Sequence, residues 1–217
     1  MKRTFRTTIC AAAAALALAA PALAGPPLLC HPYEIGSAKS LPWVGEKSWF
    51  EGRPDYNLQN LVSDTEALLA PSTPVIVRME TLRRAAIYAS TDPTVANALL
   101  KRFISRAEAA EASGHPDAIA YLDAAYLAGA FNEFTMMAQS KEWAARGAVA
   151  RQAKGSLDSY ALIRKSVALR PADPAIQFAA ALISNDEHRG EYPGHAAKAR
   201  AGADADMLLA RNLDHVQ

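Results

Sequence analysis

The sequence predicts an all-α fold, antiparallel helical hairpins packed as an array or a bundle, with an extended strap at the N-terminal end. Three observations carry that reading. Apolar residues recur at alternating spacings of three and four, the period of one helix face. Proline, glycine and aspartate cut the chain into segments of roughly 10 to 20 residues, the ordinary length of a globular helix. Clusters of β-branched residues with period-two alternation are missing, so no sheet is expected.

The segments follow in order. Residues 25–55 hold Pro26, Pro27, Pro32, Pro42 and Pro54 and show no sustained helical period. Each proline fixes φ, removes a donor and biases the preceding residue toward extended conformations. The same stretch holds Tyr33, Trp43, Trp49 and Phe50, and a disordered linker would be poor in aromatics. It therefore reads as a strap, packed on the helices through Cys30, Ile35, Leu41, Trp43 and Trp49. Residues 56–217 read as about eight helices. Asp55 is placed to cap the first, which carries Leu58, Leu61, Val62, Thr65 and Leu69. Thr73-Pro74 opens the second, whose stripe is Val75, Met79, Leu82, Ala86 and Ala89. Asp92-Pro93 opens the third and Gly114 closes it. Pro116 opens a fourth through Ile119, Leu122, Tyr126 and Gly129. A fifth surrounds Trp143 and ends at Lys154-Gly155. Ser156 caps a sixth, Asp173-Pro174 a seventh through Ile183, and a last helix runs from about His195 to Leu213. Short connections make consecutive helices antiparallel neighbours.

Residues 1–24 are expected to be a secretory signal peptide. Lys2, Arg3 and Arg6 form a basic start, Ile9 to Ala20 an apolar run, and Ala22-Leu23-Ala24 a small-x-small cleavage signal. The run is shorter than the ~20 residues a membrane span needs. Cleavage after Ala24 leaves 193 of the 217 residues and places the protein in a secreted or periplasmic location. The leader takes away three basic and no acidic residues. The remaining 20 basic and 22 acidic side chains give a net charge of −2. That balance offers no electrostatic reason to expect nucleic acid or an anionic membrane as partner. Cys10 leaves with the leader, so Cys30 stands alone, either as a small buried hydrophobe, an intermolecular bridge making a Cys30-linked dimer, or a free thiol.

Two resemblances follow from particular residues. Residues 159–184, SYALIRKSVALRPADPAIQFAAALIS, resemble the junction between tetratricopeptide repeats. Ile163 and Ser166 match inner positions of a second helix, Pro171 the terminal proline and Ala181 the small residue where helices touch. Residues 118–131, AIAYLDAAYLAGAF, echo it through Leu122 and Tyr126, with Asp123 at the usual small position. The 34-residue period is not kept along the chain. What the resemblance implies is a helical-repeat surface that binds peptides or proteins. Residues 28–43, LLCHPYEIGSAKSLPW, with Glu80-Thr81-Leu82-Arg83-Arg84-Ala85, resemble a group of uncharacterised secreted bacterial proteins sharing a CHP…IG-AKSLPW opening. That resemblance brings no established activity.

Candidate sites are few. Cys30 and His31 are the candidates for catalysis, and a thiolate there would need an imidazole from His115, His188, His195 or His215. No metal site is expected, since no two histidines lie at i, i+4, and no cofactor motif is present. Arg83, Asn132 and Glu133 are candidates for binding. Arg83 lies beside an apolar stripe, where it would reach Glu34, face a groove or sit in water. Arg84 is placed for a surface pair with Glu80. G-x-S-x-G, H-E-x-x-H and phosphate-cradling glycine loops are absent. The leading expectation is a non-enzymatic module that binds a protein or peptide of the cell envelope. The alternative is an envelope enzyme or redox protein using Cys30 with a distant histidine. A peptidoglycan-cutting enzyme built on Glu80, Glu108 or Glu133 is a more distant third.

Overall fold

The computed structural model describes residues 27–45 and 49–216, the side chains of Asp186 and Glu187 excepted. The expected leader, residues 1–24, lies outside the described residues. Among those described the chain is helical: α1 (Leu61–Leu68), α2 (Val75–Ala89), α3 (Pro93–Ala112), α4 (Ala118–Met137), α5 (Ala144–Lys154), α6 (Ser159–Leu169), α7 (Pro174–Glu187), α8 (Tyr192–Gly202) and α9 (Met207–Arg211). Extended pairing among the described residues is confined to one antiparallel bridge between Trp43 and Gly52.

Local chemistry explains most of the boundaries. Asp92 and Asp173 accept from the first amides of α3 and α7, each followed by proline at the first helical position. Gly114 and Gly155 take positive φ just past the ends of α3 and α5, conformations in which a side chain would be strained. Four expected boundaries shift. Asn57, not Asp55, caps the first turn, because Asp55 is drawn out to Arg53. Thr73 leaves the start of α2 uncapped and donates its hydroxyl to Leu68 O instead. Asp158 rather than Ser156 caps α6. The expected final helix is broken into α8, α9 and short 3-10 turns at Ala203–Ala205 and Leu213–Val216. Asp206 starts α9 by accepting from Leu208 and Leu209 N–H.

Most helices pack against their chain neighbours, α4 packs also on α2 and α6, and α7 returns to touch both α2 and α4. The result centres on α4, which touches α2, α3, α5, α6 and α7 and is buried at every residue from Ala118 to Phe134. A helix apolar all round belongs inside a protein, and its sequence (alanine, leucine, tyrosine and phenylalanine) allows that without exception save at Asp123, Asn132 and Glu133. Helix α2 is equally enclosed, with only Arg84 escaping full burial. An apolar stripe alone would leave half of α2 wet. Its charged face is covered instead by α4 and by residues 27–45, which run across both helices.

Candidate functional site

Two buried ionic clusters lie on α2, and each forms because the helix period brings charges to one face. The first joins Arg78 to Asp123 of α4. Arg78 donates through Nε and Nη2 to both carboxylate oxygens at 2.8 and 2.6 Å, and both side chains are fully buried. Its Nη1 donates to Ala70 O, and Arg106 approaches Asp123 at 3.1 Å. Asp123 thus meets a guanidinium that fills the gap between α2 and α4. Burial still raises its carboxyl above the ordinary value, against the pull of Arg78 and Arg106.

The second cluster faces residues 27–45. Glu80, Arg83 and Arg84 stand at i, i+3 and i+4, which is one side of a helix. Arg83 spans both Glu80 oxygens through Nε (2.7 Å) and Nη2 (2.9 Å), while Arg84 Nε donates to Oε1 at 2.6 Å. The outer nitrogens reach across to main chain: Arg83 Nη1 to Leu29 O and Trp49 O, Arg84 Nη1 to Leu41 O. Tyr33 N–H closes the carboxylate's coordination at 3.1 Å. Burial opposes ionisation of Glu80, yet the hydrogen bonds and charges of Arg83 and Arg84 outweigh it and hold the carboxyl below its ordinary value. Glu80 and Arg84 are therefore no surface pair: Glu80 is 0 % exposed and Arg84 20 %. Glu34, which sequence offered as a partner for Arg83, pairs with Arg211 at 3.0 Å.

Helix α4 supplies the matching acceptors and donors. Glu133 receives Leu28 N–H on one oxygen (2.8 Å) and Leu29 N–H on the other (2.9 Å). Tyr126 donates to Leu28 O at 2.7 Å. Nearby, the Tyr33 ring stacks on His215 at 4.9 Å and meets Phe178 edge-on, with His31 edge-on to His215 at 6.0 Å. Burial, and secondarily the neighbouring His31, keep the His215 imidazole below its ordinary value although Asp214 pulls the other way.

These contacts leave an open groove of about 760 Å³ between residues 32–45 and α2. Ile35, Pro42 and the Trp43 ring give it apolar walls, and Arg84 a charged corner. The Trp43 ring lies against both guanidiniums, 5.2 Å from that of Arg83 and 5.5 Å from that of Arg84. Among the sequence candidates, Arg83 is buried behind this groove, and Glu133 and Asn132 are buried in α4 rather than facing a concave surface. Cys30 is half-buried; burial and the Glu133 charge push its thiol up to about 12, against the opposing Arg83. A thiol so placed is protonated at neutral pH. Ile35, Trp43 and Trp49 are partly buried and Leu41 fully. Trp49 stacks on Trp143 at 5.8 Å.

Sequence reasoning missed Glu80, Arg78 and Asp123 as buried groups, and Tyr33 and His215 as partners. A usable signal was present: α2 places four charges within seven residues of an otherwise apolar helix, at spacings that gather three of them. Among the described residues no three His, Cys, Asp or Glu side chains converge as a metal site would require. No helix among them is long and apolar enough to cross a membrane. No protein-family model matches the chain, and no curated protein or solved structure matches it significantly.

Proposed function

We propose that the protein is a secreted or periplasmic, non-enzymatic helical module of tetratricopeptide-like hairpins, which binds a protein or peptide of the cell envelope in the groove between residues 32–45 and α2. The observation that carries this reading is how the charged groups beside the groove are used. Both oxygens of Glu80 and both of Glu133 are taken by donors of the chain itself, so neither is placed to move a proton. What remains for a ligand is shape, apolar wall and one guanidinium edge. Those are the means of a binding site, in which a few fixed polar groups orient a partner held by burial.

Site-directed photo-crosslinking in the native compartment tests the reading. A photoreactive residue at Val44, 48 % exposed beside the groove, is expected to give an adduct of defined mass. The same residue at Leu169, 40 % exposed at the end of α6, is expected to give none. Adducts at both positions, or at neither, would count against a groove-bound partner. The N-terminus of the exported protein, read by mass spectrometry, is expected at Gly25.

A further inference from the structure

We propose that residues 207–216 are a pH-sensitive clasp on the Tyr33 end of the groove, and that protonation of His215 loosens it. The clasp grips main chain and ring together. Asn212, buried, takes Glu34 N–H on its Oδ1 (2.8 Å) and donates Nδ2 back to Glu34 O (3.0 Å). Arg211 pairs with the Glu34 carboxylate, and its Nη1 lies 3.8 Å from where a Cβ on Gly36 would stand. The His215 ring stacks on Tyr33, and Leu209 and Val216 are fully buried. Tyr33, Glu34 and Gly36 all line the groove, so a change in the clasp is a change in that wall.

His215 is the point at which this grip responds to pH. Its side chain is 8 % exposed, and its Nδ1 is buried with no hydrogen-bond partner among the described residues. A neutral imidazole tolerates that, because one of its nitrogens carries no proton; the imidazolium carries two and calls for two acceptors. Protonation therefore puts a charge and a donor where no acceptor waits. The neighbouring charges do not make up for this. Asp214, on the same turn, is exposed and 3.8 Å from Nε2, so solvent weakens its attraction. His31, edge-on at 6.0 Å, would become a like charge if it too took a proton. Tyr33, against the ring face, has its phenol pushed up by burial and stays neutral. On α2 the pulls of Glu80 and Arg83 oppose one another. Among the described residues α7 presents the uncharged Phe178 ring, α8 brings Arg200 to Val216 O, and α9 brings Arg211, which Glu34 offsets.

Two adjacent amides of the full-length protein make the comparison, since Tyr33 N–H donates to Glu80 and Glu34 N–H to the clasp. Hydrogen exchange at both, corrected for the intrinsic pH dependence of amides, is followed by NMR between pH 7.5 and 5.0. Protection at Glu34 is expected to fall about tenfold relative to Tyr33, along the titration curve of the His215 ring. His215→Phe keeps a ring on Tyr33 and should abolish the fall; Glu34→Gln should keep it. A fall that is absent, that follows another group's titration, that persists in His215→Phe or that is lost in Glu34→Gln overturns the proposal. An equal fall at both amides reports global unfolding and overturns it too. The ring titration and both amides are read on the unsubstituted protein, so the outcome is decided even if His215→Phe folds poorly. No ligand enters the measurement, so its failure leaves the groove reading standing.

Discussion

Arg78 and Asp123 sit fully buried and bonded through both carboxylate oxygens, and their cost shows only when one is removed. Arg78→Met leaves the buried carboxylate with Arg106 as its one cation and is expected to lower unfolding free energy by about 3 kcal/mol. Adding Asp123→Leu to the same chain should recover most of that, since replacing a whole buried pair by apolar groups is close to neutral. Denaturant titration of the two single variants and the double one reads the difference. A double variant as weak as the singles would mean that the pair does more than compensate itself. A pH effect belongs at this scale too. His215 and His195 are both held below their ordinary values by burial, so the folded chain takes up their protons at lower pH than the unfolded chain does. Stability should be full above about pH 6.5–7 and fall as pH drops below that range, because the unfolded state then binds more protons. Chemical denaturation at pH 7.5 and 5.0 checks the sign, and His215→Phe should flatten part of the slope.

Among the elements, α4 decides whether residues 27–45 can lie where they do. Gly129 is the close approach: a Cβ there would stand 2.7 Å from Leu28 Cδ1, a side chain that is itself 1 % exposed. In an exposed helix Gly→Ala gains about 0.5–1 kcal/mol. Here Gly129→Ala is expected to reverse sign and destabilise by about 1–3 kcal/mol, the cost of overpacking, as thermal melts would show. Glu133→Gln keeps the volume but turns an amide donor toward Leu28 or Leu29 N–H. An orphaned buried amide costs about 1–3 kcal/mol, and a loss well below that would show that the amides find water. The helices themselves were legible in sequence wherever a cap and a proline coincide, as at Asp92-Pro93 and Asp173-Pro174. They were not where a competing local hydrogen bond decides. Asp55 looks like a cap but prefers Arg53, and the segment after His195 has a helical composition yet breaks at Asp206.

For the whole molecule, the same limit explains what was hidden in the candidate site. Periodicity announces which residues share a helix face, and it paired Glu80 with Arg84, though as a surface pair and with Arg83 directed to Glu34 or a groove instead. It does not announce what covers that face. Charges on a helix read as a solvated surface, and only a chain segment 43 to 54 residues upstream, lying across them, makes them interior. Glu133 is similar: nothing at position 133 signals that its partners are the amides at 28 and 29. The all-α class, by contrast, follows from local pattern alone and is what the structure has. The architecture joins these scales, since the ionic groups of α2 and α4 hold residues 27–45 in place and thereby form the groove.

The central claim is that hold, and the amides of Leu28, Leu29 and Tyr33 report on it directly, each donating to a buried carboxylate. Native-state hydrogen exchange resolved at these three positions is the measurement to make. Exchange slowed to the rate of global unfolding, and accelerated at Leu28 and Leu29 in Glu133→Gln, is the expected result. Exchange at the speed of exposed amides in the unsubstituted protein would contradict it.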